Sequence, residues 1–146
     1  MNKTKSQVQR TLESVSELRG QVQRIRAKIL ELEGRCAYQT GSYGVRLRGS
    51  GLTTEEVWAL LSDERERLSI QLEKLLQLER LIELRIDSLP KPTWRLVLRY
   101  RYLDNLSFGQ IRERLLLDTN RCYSNVQIYR IHRAALEALE AQWDLP

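Results

Sequence analysis

Apolar residues recur along the first arm of the chain at Val8, Val15, Leu18, Val22, Ile25, Ile29 and Leu32, and from Val15 onward the intervals alternate between three and four. That is the heptad spacing of a helix with one narrow apolar seam. Thr11 interrupts the seam at a single position. A second seam runs Leu61, Leu68, Leu72, Leu75, Ile82, Ile86 and Leu89, with polar gaps at Arg65 and Glu79. Leu60, Leu76, Leu78 and Leu81 widen it, and a wider stripe serves more than one neighbouring helix.

The stretch between the seams, residues 34–51, holds five of the seven glycines and predicts a break in both helices. The second helix has a defined start: Thr53 as N-cap, Glu56 completing a capping box, Leu52 and Val57 as a hydrophobic staple. Pro90 stops it, and Pro92 sits near the start of the next helix. Arms of matched length, each roughly 45–55 Å at ~1.5 Å per residue, favour an antiparallel hairpin. Such a hairpin buries one stripe of each arm, which predicts pairing with a second copy as a homodimer or higher homo-oligomer. The oligomerisation residues on this reading are Val15, Leu18, Val22, Ile25, Ile29, Leu32, Leu68, Leu75 and Ile82.

Past Pro90 the texture changes. "KPTWRLVLRYRYLDN" predicts a short helix ending near Asp104–Asn105. Two further starts repeat the earlier signal: Ser107 with Gln110, flanked by Leu106 and Ile111, and Ser124 with Gln127, flanked by Tyr123 and Ile128. Helices near 107–117 and 124–142 follow, in helix-turn-helix order. The predicted fold is therefore all-α: a long, coiled-coil-like antiparallel hairpin over 1–90 with a glycine-rich tip at 34–52, then a helix-turn-helix domain over 91–146.

Charge sharpens this picture. The net charge is +5, yet residues 1–52 carry ten basic against four acidic residues, residues 53–90 five against nine, and residues 91–133 nine against three. A basic first arm beside an acidic second arm agrees with the hairpin, and the basic third segment points to an anionic partner.

In the last helix Ile128, Ile131, Ala135 and Leu139, with Leu136 beside them, define a buried stripe. Asn125, Gln127, Arg130 and Arg133 project away from it. The second helix of a helix-turn-helix lies in the major groove of double-stranded DNA with its first residues at base edges. Asn and Gln suit adenine, Arg suits guanine, and an apolar side chain suits the thymine methyl. This assigns Asn125, Val126, Gln127 and Arg130 to bases. It assigns Ser107, Arg112, Arg114, Arg121, Ser124, Tyr129 and Arg133 to phosphates, with Arg99 and Arg101 in the same role.

Other chemistry finds little footing. No apolar run approaches a bilayer span and the amino terminus lacks a signal-peptide core, so no membrane partner is expected. His132 is the one histidine; Cys36 and Cys122, a loop thiol and a connector thiol, are isolated. Neither a zinc site nor a disulfide framework is expected, no cofactor is implied, and a reducing cytoplasm is the default location. A glycine-rich phosphate loop, HExxH and a serine triad are all missing, which argues against an enzyme. Two other readings stay open beside DNA-binding regulation: a subunit of a DNA-packaging assembly, similar to a small terminase subunit, and a coiled-coil adaptor.

"LPKPTWRLVLRYRYLDNLSFGQI" and "YSNVQIYRIHRAALEAL" resemble sigma-factor region 4, and still more the small phage transcriptional regulators of the RinA/ArpU type. The matching residues are Leu98, Arg99, Tyr100, Tyr102, Leu103, Ser107, Ile111, Tyr123, Ser124, Tyr129, Arg130, Ile131, His132, Ala135, Leu136 and Leu139. The resemblance implies an activator of late phage genes, acting at DNA in the cytoplasm of a bacterial host, with bacterial RNA polymerase as a further contact. One departure is plain. Ile111 and Ile128 lie 17 positions apart, more than the tight turn of that motif spans, so "LLLDTNRCY" forms a longer connector or an extra helical turn.

Overall fold

A computed structural model describes residues 6–40 and 51–143, with residues 37–40 described by their backbone alone. Every regular element among them is helical. Helix α1 spans Gln7–Thr40 and α2 Thr54–Asp87; α3, Pro92–Leu98, continues into a π-helical turn at Arg99–Leu103; α4 spans Phe108–Thr119 and α5 Asn125–Gln142. Residues 41–50, most of the expected tip, lie outside the described residues. The chain folds into two compact units: Leu18–Leu76, and Met1–Glu17 together with Gln77–Pro146.

In the Leu18–Leu76 unit, Ile25, Ile29, Leu32 and Cys36 of α1 form a core with Val57 and Leu61 of α2, and Leu52, Leu60 and Leu68 pack against it. The end of α1 thus meets the start of α2. Lys28, farther back on α1, meets Glu64, farther along α2, at 3.3 Å. The two helices therefore run antiparallel within this unit. Thr53 and Glu56 form the capping box, with the Thr53 N–H donating to Glu56 Oε2 at 3.0 Å and the Glu56 N–H to Thr53 Oγ1 at 3.2 Å.

Helix α1 passes through Gly34 instead of stopping there, and Cys36, expected in a loop, is a buried helical residue. A helix-interior glycine costs only about 1 kcal/mol relative to alanine. Burial of the Cys36 side chain two residues later offsets a loss of that size.

Glu64 is the one charged side chain buried among the described residues, its side chain 6% exposed. Its Oε1 takes both Lys28 and Arg67, at 3.3 and 3.2 Å, while Oε2 has no hydrogen-bond partner among the described residues. Desolvating a carboxylate opposes most of what such pairing gains. Glu64→Met is accordingly expected to leave the free energy of unfolding in urea unchanged or raise it by about 1 kcal/mol. A loss above about 2 kcal/mol would mean that the ion pairs win over desolvation.

The other unit is built around α3, α4 and α5, with the start of α1 and the end of α2 folded into it. Val97, Tyr100, Ile111, Leu115 and Ile128 form its central cluster, and Leu96, Leu106, Phe108, Tyr123 and Ile131 pack against them. Ser6 caps α1 by accepting from the Gln9 N–H at 3.1 Å and donates its hydroxyl to Glu140 of α5 at 2.5 Å. Arg95 donates to the Leu89 carbonyl at 2.5 Å, closing the turn after α2. Arg99 joins Asp87 at 2.6 Å and Glu83 at 3.1 Å. The unit that holds α3–α5 is thus larger than the 91–146 stretch.

Candidate nucleic-acid interface

Two left-handed asparagines and two capping boxes aim α4 and α5. After α3 the backbone widens into the π-helical turn, closed by the Asp104 N–H donating to the Arg99 carbonyl at 3.0 Å. Asn105 then adopts φ 56°, a conformation that its short polar side chain tolerates. The Arg101 guanidinium braces this turn, donating to the Leu106 carbonyl at 3.0 Å and lying over the Phe108 ring at 4.5 Å. At the start of α4 the Gln110 N–H donates to Ser107 Oγ at 3.2 Å and the Ser107 N–H to Gln110 Oε1 at 2.9 Å.

Helix α4 runs to Thr119, two residues past its expected end, and stops at Asn120, φ 56°, whose N–H donates to the Leu116 carbonyl at 3.0 Å. The long interval between Ile111 and Ile128 is thus absorbed by added helix and an irregular connector over 120–124. The second box opens α5: the Gln127 N–H donates to Ser124 Oγ at 3.2 Å and the Ser124 N–H to Gln127 Oε1 at 2.8 Å. Ser124→Ala removes one of these bonds and is expected to cost about 1 kcal/mol in urea unfolding. An unchanged midpoint would show that the box adds nothing net.

Tyr100 ties the end of α4 to the π-helical turn by donating its hydroxyl to Asp118 Oδ2 at 2.6 Å. Burial, reinforced by the Asp118 bond and charge, pushes the phenol up to about 12, so it remains a donor at neutral pH.

The two faces of α5 separate as its spacing predicts. Ile128, Ala135, Leu136 and Leu139 are buried; Asn125, Val126, Gln127, Tyr129, Arg130 and Arg133 are exposed, Val126 at 58% and Tyr129 at 53%. The four residues assigned to bases therefore share one exposed end of the helix. Two of them have engaged carbonyls: Gln127 Oε1 in the cap, and Asn125 Oδ1, which accepts from Arg112 Nη1 at 3.4 Å.

The phosphate set is more mixed. Arg121, like Arg130 of the base set, is exposed and makes no hydrogen bond or ion pair with other described residues. Arg114 and Arg133 reach Asp118 and Glu137 on their own helices at 3.5 and 3.8 Å, exposed pairs of small worth. The hydroxyls of Ser107 and Ser124 serve the caps as acceptors, and the Tyr129 ring lies 4.5 Å from that of Phe108. Arg99 and Arg101 differ from expectation. Arg99 is held by Asp87 and Glu83, which raise its pKa, and Arg101 is committed to the turn before α4.

His132 is better placed than its sequence context suggested. Its Nε2 lies 2.8 Å from the Tyr102 hydroxyl, and the Phe108 ring meets the imidazole edge-on at 5.1 Å. Burial, helped by the nearby Arg101 charge, lowers its pKa to about 4. The ring is therefore neutral when it shares this hydrogen bond with Tyr102, and burial holds that phenol up at about 12. A lone histidine on the inner side of α5 was the one available signal, and it does not reveal a partner 30 positions away.

The seam residues assigned to oligomerisation are covered within a single chain: Val15, Val22, Ile25, Ile29, Leu32, Leu75 and Ile82 are buried, and Leu18 and Leu68 half-buried. Among the described residues no group of three or more His, Cys, Asp or Glu side chains is placed to hold a metal ion, and no helix is long and apolar enough to cross a membrane. Compared with family models, with curated proteins and with solved structures, the chain matches none.

Proposed function

We propose that the chain is a sequence-specific regulator of transcription that binds double-stranded DNA, with α4 and α5 acting as a helix-turn-helix and α5 entering the major groove. The observation that carries this reading is the front of α5. Asn125, Val126, Gln127 and Arg130 are exposed together on a helix whose opposite face is core, in a segment with nine basic and three acidic residues. Arg112 on α4 and Arg121 in the connector flank that front and supply charge for phosphates. A second copy of the chain belongs to the same proposal. Because the expected seam is covered within one chain, the copies would meet through other surfaces.

The test is selection of bound duplexes from a random pool with full-length protein at defined salt. A recovered motif with two spaced half-sites supports a sequence-reading dimer. Recovery no better than input overturns the proposal. The phage-regulator resemblance implies activation of late genes, and a reporter carrying the recovered site upstream of a weak promoter reads the sign directly.

A further inference from the structure

An unconstrained asparagine or glutamine offers a base both a donor and an acceptor, the pair that adenine requires through N7 and its N6 amino group. Neither leading amide of α5 is unconstrained. The Ser124 backbone N–H, 2.8 Å from Gln127 Oε1, can only donate, so chemistry fixes which end of the amide faces the cap. The Gln127 carbonyl turns back towards the protein and leaves its NH2 as the group available outward. Arg112 likewise has no acceptor, and its Nη1 at 3.4 Å holds the Asn125 carbonyl. Arg130 is donor-only by nature, and Val126 adds an exposed apolar surface between the two amides.

We propose that the front of α5 is a donor-biased reader. Arg130 has donors alone, the Gln127 carbonyl is turned to the cap with its NH2 outward, and the Asn125 carbonyl is engaged by Arg112, so this front favours acceptor edges: guanine O6 and N7, and thymine O4 with its C5-methyl against Val126. Adenine N6 and cytosine N4 present amino groups to those same donors and are disfavoured on the strand being read. The capping box is thereby a specificity device as well as a helix start. Arg112 is a positioning residue for Asn125. This inference rests on the DNA-binding reading and narrows it to a base class.

The decisive variant is Gln127→Glu. A carboxylate still accepts from the Ser124 N–H, so the cap survives, but the outward donors are gone. Duplexes of the selected site, changed one base pair at a time, would be titrated with the full-length protein and the variant. At the position read by Gln127 the wild type is expected to favour guanine or thymine over adenine or cytosine roughly tenfold. Gln127→Glu should erase that preference or turn it towards cytosine, whose N4 donates to a carboxylate. Comparing ratios between duplexes removes the general repulsion from the added charge. Sequence-specific binding with adenine preferred at that position, or with a preference that Gln127→Glu leaves intact, overturns the inference while leaving the DNA-binding reading in place. Absence of any selected duplex overturns both.

Discussion

Arg130→Ala is expected to weaken binding to the selected duplex ten- to a hundredfold, while affinity for unrelated duplex falls far less. Arg130 lies three positions beyond Gln127, on the exposed side of the helix, and makes no hydrogen bond or ion pair with other described residues. Its removal therefore costs the fold little, and the whole effect falls on whatever the guanidinium meets outside. Two parallel bonds to a guanine are worth about 1–3 kcal/mol of discrimination, which sets the range. Arg121→Ala is the matched control. It also removes one exposed arginine, but from the connector ahead of α5, where a phosphate contact carries no sequence information. That variant should lower affinity for all duplexes alike and reduce the slope of log affinity against log salt by about 0.9. Fluorescence anisotropy on two duplexes at four salt concentrations separates these behaviours. Identical profiles for the two variants would dissolve the division between base and phosphate residues on which the assignment depends.

What the sequence made legible is what is local. Each helix start rests on four consecutive residues, and all three expected capping boxes close with both reciprocal bonds: Thr53 with Glu56, Ser107 with Gln110, Ser124 with Gln127. The buried stripes were legible for a similar reason, since period and apolarity decide which side of a helix is covered. Periodicity is silent on what covers it. Val22 and Ile29 have the same spacing whether the partner helix comes from the same chain or another. Nor does it reveal that Arg99 would meet Asp87 and Glu83, because that depends on how α2 turns into α3. The engaged amides of Asn125 and Gln127 show the same limit on a finer scale. Their positions were readable from the sequence, whereas the direction of each carbonyl depends on Arg112, 13 positions away, and on the cap closing.

Acid should destabilise the fold through His132, and His132→Gln should remove that sensitivity. The imidazole is lowered to about 4 in the folded chain from its ordinary 6.5. Between those values the unfolded chain binds a proton that the folded chain refuses, so the contribution is fully favourable above pH 6.5 and is lost as pH falls through 4. The slope is about 1.4 kcal/mol per pH unit, and the full loss about 3 kcal/mol, reduced somewhat because the ring is not wholly shielded from water. The cause is burial first and the Arg101 charge second: protonation would put a cation in a site shielded from water and beside a guanidinium. Glutamine in place of His132 can still hydrogen-bond the Tyr102 hydroxyl and has no proton to gain. Urea unfolding of both proteins at pH 7.5, 5.5 and 4.5 should therefore give a difference that changes with pH by about 2–3 kcal/mol, in the direction of the variant becoming relatively more stable in acid. Carboxylates titrate in the same interval but do so in both proteins, and the subtraction removes them. Two parallel curves would show that burial beside Arg101 does not keep the ring neutral, and that the inner side of α5 tolerates a cation.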